Sequence, residues 1–188
     1  MLGDGTSGNK TKLMLGAGSS YASSSFYRYG TAGGEITTGA WHHVACVFRG
    51  PDAEADPQAP LVYIDGSSST VSLVSGALGH HDTTNAANFT VGNRPDLAGS
   101  SNNYYFTGFM DELAIFDDEL TSGEISTIYN SGTPTDLTGH DHIQAWWRMG
   151  DDDADDLTGG SGQVTDQIAS FNLTPVGTDS NDKEDEYP

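Results

Sequence analysis

Positive charge is the scarcest feature of this sequence. Seven Lys and Arg residues stand against 27 Asp and Glu in 188, a formal net charge of −20. A surface with that balance repels nucleic-acid phosphates and anionic lipid headgroups, which argues against DNA, RNA or an acidic membrane as partner. It attracts divalent cations or simply keeps a protein in solution, and charge alone names no ligand. Cysteine is rarer still as a residue type. Cys46 is the only one, so no intramolecular disulfide forms, and its place in an apolar alternating run marks a small core residue rather than a reactive thiol. No window approaches the length of a membrane span. The opening Met-Leu-Gly-Asp-Gly-Thr has no apolar segment behind a basic one, so no cleavable signal is visible.

What is present points to strands. Hydrophobic residues are 35% of the chain, below the globular norm, while 24 glycines and abundant Ser, Thr, Asn and Asp signal many turns between short elements. That composition favours an all-β sandwich or barrel, and the length suits one domain with a substantial core. We expect that domain over residues 1–176, with its main body at 12–132 and an acidic tail at 177–188.

Trp41 to Phe48 carries the clearest signal. Its period-two alternation puts Val44, Cys46 and Phe48 on one face and His43, Ala45 and Val47 on the other, as expected of a central strand. A loop from Gly50 to Pro60, with three prolines and three acidic residues, leads to a second strand at Leu61–Ile64. That strand stops at Asp65-Gly66, a dipeptide suited to the positive φ angles of a tight turn. Further short strands are expected at Lys12–Leu15, Phe26–Tyr29, Val71–Val74 and Asn88–Val91, with loops at Gly16–Ser25 and Ala98–Asn103. Tyr27 and Tyr29 share a face by alternation, so their rings either stack on a sugar or pack against a second sheet.

Tyr104 to Phe116 is the longest β-like stretch, interrupted at Gly108, where a missing side chain permits a bulge or a close approach. Asp111 lies on the same face as Phe109, Leu113 and Ile115. An acid among apolar neighbours is costly to bury, so it is at a sheet edge, hydrogen-bonded, or bound to a cation. One helix follows: Thr121 is placed to cap it, Glu124 to return the bond, and Leu120 and Ile125 to staple it. Ile125, Ile128 and Tyr129 form its apolar stripe, and Gly132 and Pro134 end it. Ile143–Met149 reads as another strand, with Trp146 and Trp147 on opposite faces, then a solvated acidic run, Asp151 to Asp156, and a weaker apolar patch at 168–176.

Taken in order, Trp41-His42-His43-Val44-Ala45, Val62-Tyr63-Ile64-Asp65-Gly66, Phe89-Thr90-Val91-Gly92-Asn93, Tyr105 to Leu113 and Leu120 to Ile125 resemble the concanavalin A-like lectin/glucanase superfamily, in its laminin G-like or pentraxin-like branch. The resemblance implies a jelly-roll sandwich of two antiparallel sheets, with Val62 and Ile64 in the core. It also makes Asp111 the candidate ligand for a structural calcium ion, since relatives can hold one through the aspartate of this strand.

Two departures from the family pattern matter. The family's opening strand resembles Ile143 to Gly150, which here follows the helix, and the early strands before Tyr27 have no counterpart. The first departure is an easy permutation; for the second, the sandwich is smaller, the chain is a fragment, or a neighbouring subunit supplies the strand across an open edge, and an oligomer is expected. The Trp146-Trp147-Arg148-Met149-Gly150-Asp151 block also resembles lectin-like structural proteins of marine bacteriophages, which implies a virion or extracellular setting with itself, other structural proteins or surface glycans as partners.

Catalysis finds little support. The superfamily's glucanases carry Glu-x-Asp-x-x-Glu or Glu-x-Asp-x-Glu on one strand, aiming every carboxylate into the cleft, and no such run occurs. Alternation sets Glu112 on the face opposite Asp111. His140-Asp141-His142 has zinc-like spacing without a third ligand, and the His42-His43 and His80-His81 pairs diverge in extended chain. Asp151-x-Asp153-x-Asp155 lacks the glycine and closing glutamate of a helix-loop-helix calcium loop. Asn-x-Ser/Thr triplets begin at Asn9, Asn88 and Asn172 and matter only in a secretory setting. The expectation is a non-enzymatic, lectin-like structural or adhesion module. A dedicated calcium-dependent lectin and an accessory domain of a glucanase are the alternatives.

Overall fold

The computed structural model describes residues 14–17, 27–48, 59–76, 89–92, 106 and 108–176, with backbone alone at 14–17, 27–28 and 75–76. The described chain is mostly short antiparallel strands with one helix, the composition of a β-sandwich jelly roll. It divides into two compact units, Met1–Gly108 with Ser122–Thr127, and Phe109–Thr121 with Ile128–Pro188.

The first unit holds two three-stranded sheets. One has the order β1 (Met14–Ala17), β2 (Tyr27–Thr31), β6 (Val71–Gly76), and the other β3 (Val44–Val47), β4 (Leu61–Ile64), β5 (Ser67–Ser69). All pairings are antiparallel. The β3–β4 register sets Cys46 opposite Val62 and Val44 opposite Ile64, so alternation delivers these four side chains to one face. Val62 and Ile64 are buried and form the core with Ile36, and Cys46 and Val71 pack against them. Val71 comes from the other sheet, so this cluster joins the two layers. Burying a valine of this kind is worth about 1.5–3 kcal/mol.

Asp65 and Gly66 turn β4 into β5 with φ of 51° and 72°, the left-handed pair that a two-residue hairpin requires. The Asp65 carboxylate also fastens the approach to β3. Its Oδ1 accepts the His43 amide at 3.0 Å and its Oδ2 lies 2.9 Å from His42 Nδ1. On the other side of that ring, the Thr37 amide donates to His42 Nε2 at 3.0 Å. Nε2 is thus the acceptor, and the proton sits on Nδ1 toward Asp65.

Several expectations are corrected here. β4, and not β3, is the middle strand of its described sheet, because alternation reports burial and not which neighbours a strand finds. Residues 89–92 form no strand but lead into a bend at 91–92, and Phe89 is 56% exposed. Among the described residues of Tyr104 to Phe116, only β7 (Leu113–Phe116) is a strand. Gly108 is a point of close approach, since a Cβ there would lie 3.1 Å from the Phe106 ring. The register between β2 and β6 slips between Arg28 and Tyr29. The acidic tail, His80, His81, Asn9, Asn88, the 98–103 loop and most of the Gly50–Pro60 loop lie outside the described residues.

The helix α1 (Ser122–Tyr129) falls where the capping pattern puts it, with Leu120 and Ile125 both buried. A short 3₁₀ turn, Asn130–Gly132, follows, and Gly132 at φ 88° ends it.

In the second unit β7 pairs antiparallel with β8 (Ile143–Trp147), Leu113 opposite Trp147. Both tryptophans of β8 are buried although they point to opposite faces. Trp147 forms a core with Ala145 and Val164, against which Leu113, Met149, Leu157 and Leu173 pack. The chain beyond β8 is held to it largely by aspartates. Asp166, 5% exposed, accepts four backbone amides: Trp146 and Ile168 on Oδ1, Ala169 and Phe171 on Oδ2. Asp155 accepts those of Gly150 at 2.8 Å and Thr165 at 2.6 Å, and is itself buried. The run Asp151 to Asp156 is therefore not a solvated loop throughout: these carboxylates take up amides that no strand partner satisfies.

Candidate metal centre

The β7–β8 register builds the site. Continued one residue past the pair Leu113–Trp147, it sets Glu112 beside Arg148. Glu112 itself has φ 53°, a left-handed conformation uncommon for a residue with a side chain. That twist cancels the alternation between neighbours and brings Asp111 and Glu112 together, where period two puts them on opposite faces. Beyond β8, Met149 at φ 50° and Gly150 at φ 126° fold the chain back, with the Asp151 amide donating to the Arg148 carbonyl at 3.2 Å. Asp151 is thereby returned to the same place. One carboxylate oxygen from each of Asp111, Glu112 and Asp151 lies within 4.8 Å of the others.

Each acid is held differently. Asp111 Oδ1 accepts the Glu112 amide at 2.9 Å. Glu112 Oε2 accepts the Trp146 indole N–H at 2.6 Å, and Oε1 faces Arg148 Nε at 3.4 Å. Asp151 Oδ2 faces another guanidinium nitrogen of Arg148 at 3.3 Å. Two of the three carboxylates thus face one guanidinium. Burial, then repulsion from Glu112 and Asp151, pushes the Asp111 carboxyl up to about 6. Burial also raises Glu112, against the pull of the Trp146 and Arg148 donors. Charge of one sign is in excess here, and the donors are hard oxygens. That is the chemistry of a divalent cation site of the calcium or magnesium kind, and the residues fit such an ion.

The other candidates lie elsewhere. Tyr29 is 6% exposed, its ring part of the interior, and the Tyr27 side chain lies outside the described residues. His140 meets the Phe116 ring edge-on at 5.1 Å, and its Nδ1 contacts the Asp141 carbonyl. His142 sits 3.3 Å from Asp117 and 3.8 Å from Asp118, all three open to solvent. Burial lowers the His43 pKa and raises that of Cys46 to about 11, as expected of a packed thiol. Asn172 is exposed and uses its Oδ1 to accept the Asp166 amide. Glu112 and Asp151 were not among the expected ligands. The signal for Asp151 is Met149-Gly150 directly after the strand, a place where the chain must turn back. For Glu112 the sequence carries none, since a left-handed glutamate has no compositional mark.

No described helix is long and apolar enough to cross a membrane. Neither a curated protein nor a solved structure matches the chain. A laminin G-type family model does match, over residues 4–126, which takes in both sheets of the first unit together with Asp111, Glu112 and β7. With the antiparallel sheets and short helix of its described residues, the chain belongs to the concanavalin A-like lectin/glucanases superfamily, as a laminin G-like member.

Proposed function

We propose that this chain is a non-enzymatic, lectin-like structural or adhesion module, held in its working form by calcium at Asp111, Glu112 and Asp151. The observation that carries this reading is the convergence of three carboxylates, one oxygen of each within 4.8 Å of the others, with a single guanidinium facing two of them. Bound there, calcium supplies a cross-link between the chain before β7 and the chain after β8. Asp111 and Glu112 enter the site through the turned backbone, Trp146 orients Glu112, and the Met149-Gly150 turn presents Asp151.

The setting is a virion or extracellular surface, where calcium is abundant and an acidic protein stays dispersed. Partners are further copies or other structural proteins joined at strand edges, and surface glycans. β3, β5, β1 and β6 each end a described sheet, and a strand edge is a pairing template. Tyr27 remains the candidate ring for a sugar. Both oxygens of Glu112 face donors, the Trp146 indole and Arg148, which leaves it poorly placed to act as a nucleophile beside Asp111.

Calcium titration by calorimetry, with the unfolding temperature followed in parallel, tests the cation. Binding that is lost in D111N and D151N supports it, and no binding at millimolar calcium rejects it. Light scattering at micromolar concentration reads assembly, and a strictly monomeric species removes that part. A glycan array separates a dedicated lectin from a structural module. Cleavage of any polysaccharide overturns the non-enzymatic reading.

A further inference from the structure

We propose that Arg148 is the built-in counter-cation of the Asp111, Glu112 and Asp151 cluster, and that its guanidinium and a divalent ion are alternative occupants of it. This rests on the cation reading above and adds how the site is governed. Arg148 spans two of the three ligands, with Nε 3.4 Å from Glu112 Oε1 and a terminal nitrogen 3.3 Å from Asp151 Oδ2. Charge-assisted N–H···O bonds close to about 2.7–2.9 Å when fully formed, so these two contacts are longer than fully formed ones. An ion bound to those oxygens at about 2.3–2.6 Å would face a like charge almost in contact with its own ligands. The two positive charges compete for the same lone pairs.

The side chain has somewhere to go. It is 33% exposed, and its Cζ lies 5.8 Å from the Trp146 ring, a contact that a rotated guanidinium can keep or tighten. The ion-free cluster therefore does not fly apart through carboxylate repulsion, because one charge of the right sign is always present. The loaded cluster exchanges that single charge for a double one that takes oxygen directly. Calcium affinity is accordingly set below what three carboxylates alone provide, and the site responds to changes in calcium instead of holding the ion permanently.

The test compares calcium binding by calorimetry in the intact chain, R148Q and R148K at neutral pH and fixed ionic strength. R148Q is expected to bind calcium at least tenfold more tightly and to be less stable than the parent without calcium. R148K, keeping charge without the fork, is expected to fall between them, and it serves if R148Q does not fold. In the parent chain the Arg148 Nε–H resonance is expected to move on calcium addition as its carboxylate contacts break. Unchanged or weaker binding in R148Q, or a resonance indifferent to calcium, overturns the exchange while leaving the cation site standing. Absence of binding in parent and variants alike rejects the site and the exchange together.

Discussion

The backbone amide of Trp146 donates to Asp166 Oδ1 at 3.0 Å, tying β8 to a segment twenty residues further on through a single buried carboxylate. The same group collects the amides of Ile168, Ala169 and Phe171, so one side chain substitutes for a missing strand partner. Each buried donor left without an acceptor costs about 1–3 kcal/mol. D166A is therefore expected to lose at least about 3 kcal/mol in urea unfolding, and D166N, which keeps one oxygen, distinctly less.

Two aspartates give opposite pH dependences. Burial alone would raise the Asp166 pKa, but its four amide donors outweigh that and hold it below the usual carboxylate range. Its stabilisation is complete above the ordinary carboxylate value and is lost as pH falls through the depressed one. Asp111 behaves the other way. Its pKa is 3.8 when unperturbed and about 6 in the fold, so the folded chain keeps its proton longer than the unfolded chain. Stability from this group is complete below 3.8 and lost as pH rises to about 6. Without calcium the unfolding temperature should thus decline across that interval. D111N should flatten the decline, and saturating calcium should offset it.

Trp147 is among the least exposed large side chains and its indole N–H donates to the Phe171 carbonyl at 2.8 Å. Truncation of a buried tryptophan to alanine costs about 3–5 kcal/mol. W147A is expected to fall in that range by chemical denaturation. W147F, filling most of the volume while orphaning the carbonyl, should lose roughly half as much.

His42 joins the Asp65 turn to Thr37, and its loss leaves the Thr37 amide without its ring acceptor. H42A should destabilise the chain by about 2 kcal/mol and raise amide exchange at Thr37 and His43. D65N keeps an oxygen for the His43 amide and tolerates the left-handed turn, so it should cost less than D65A.

Those local devices differ in how openly the sequence displays them. The Asp65-Gly66 turn, the helix over Ser122–Tyr129, the burial of Val62 and Ile64, and the strand at Ile143–Trp147 follow from turn chemistry, capping and period two. These are short-range rules that act within a few residues. Asp111 was legible as a carboxylate out of place among apolar neighbours. Its companions were not, because Glu112 arrives through one left-handed backbone angle and Asp151 through a reversal after β8. A run of aspartates reads as solvated when composition alone is considered. The burial of Asp155 and the hub role of Asp166 depend on amides up to twenty residues away, information that no window contains.

The pairing of β7 with β8 also bears on where the chain can be cut. The family match stops at residue 126, yet the described partner of Leu113–Phe116 is Ile143–Trp147, beyond that limit. A truncated protein ending at the helix would present Leu-Ala-Ile-Phe as a bare strand, an invitation to precipitate or to borrow a strand from its neighbour. Recombinant versions should therefore keep β8 and the return through Leu173, which pairs with Val164.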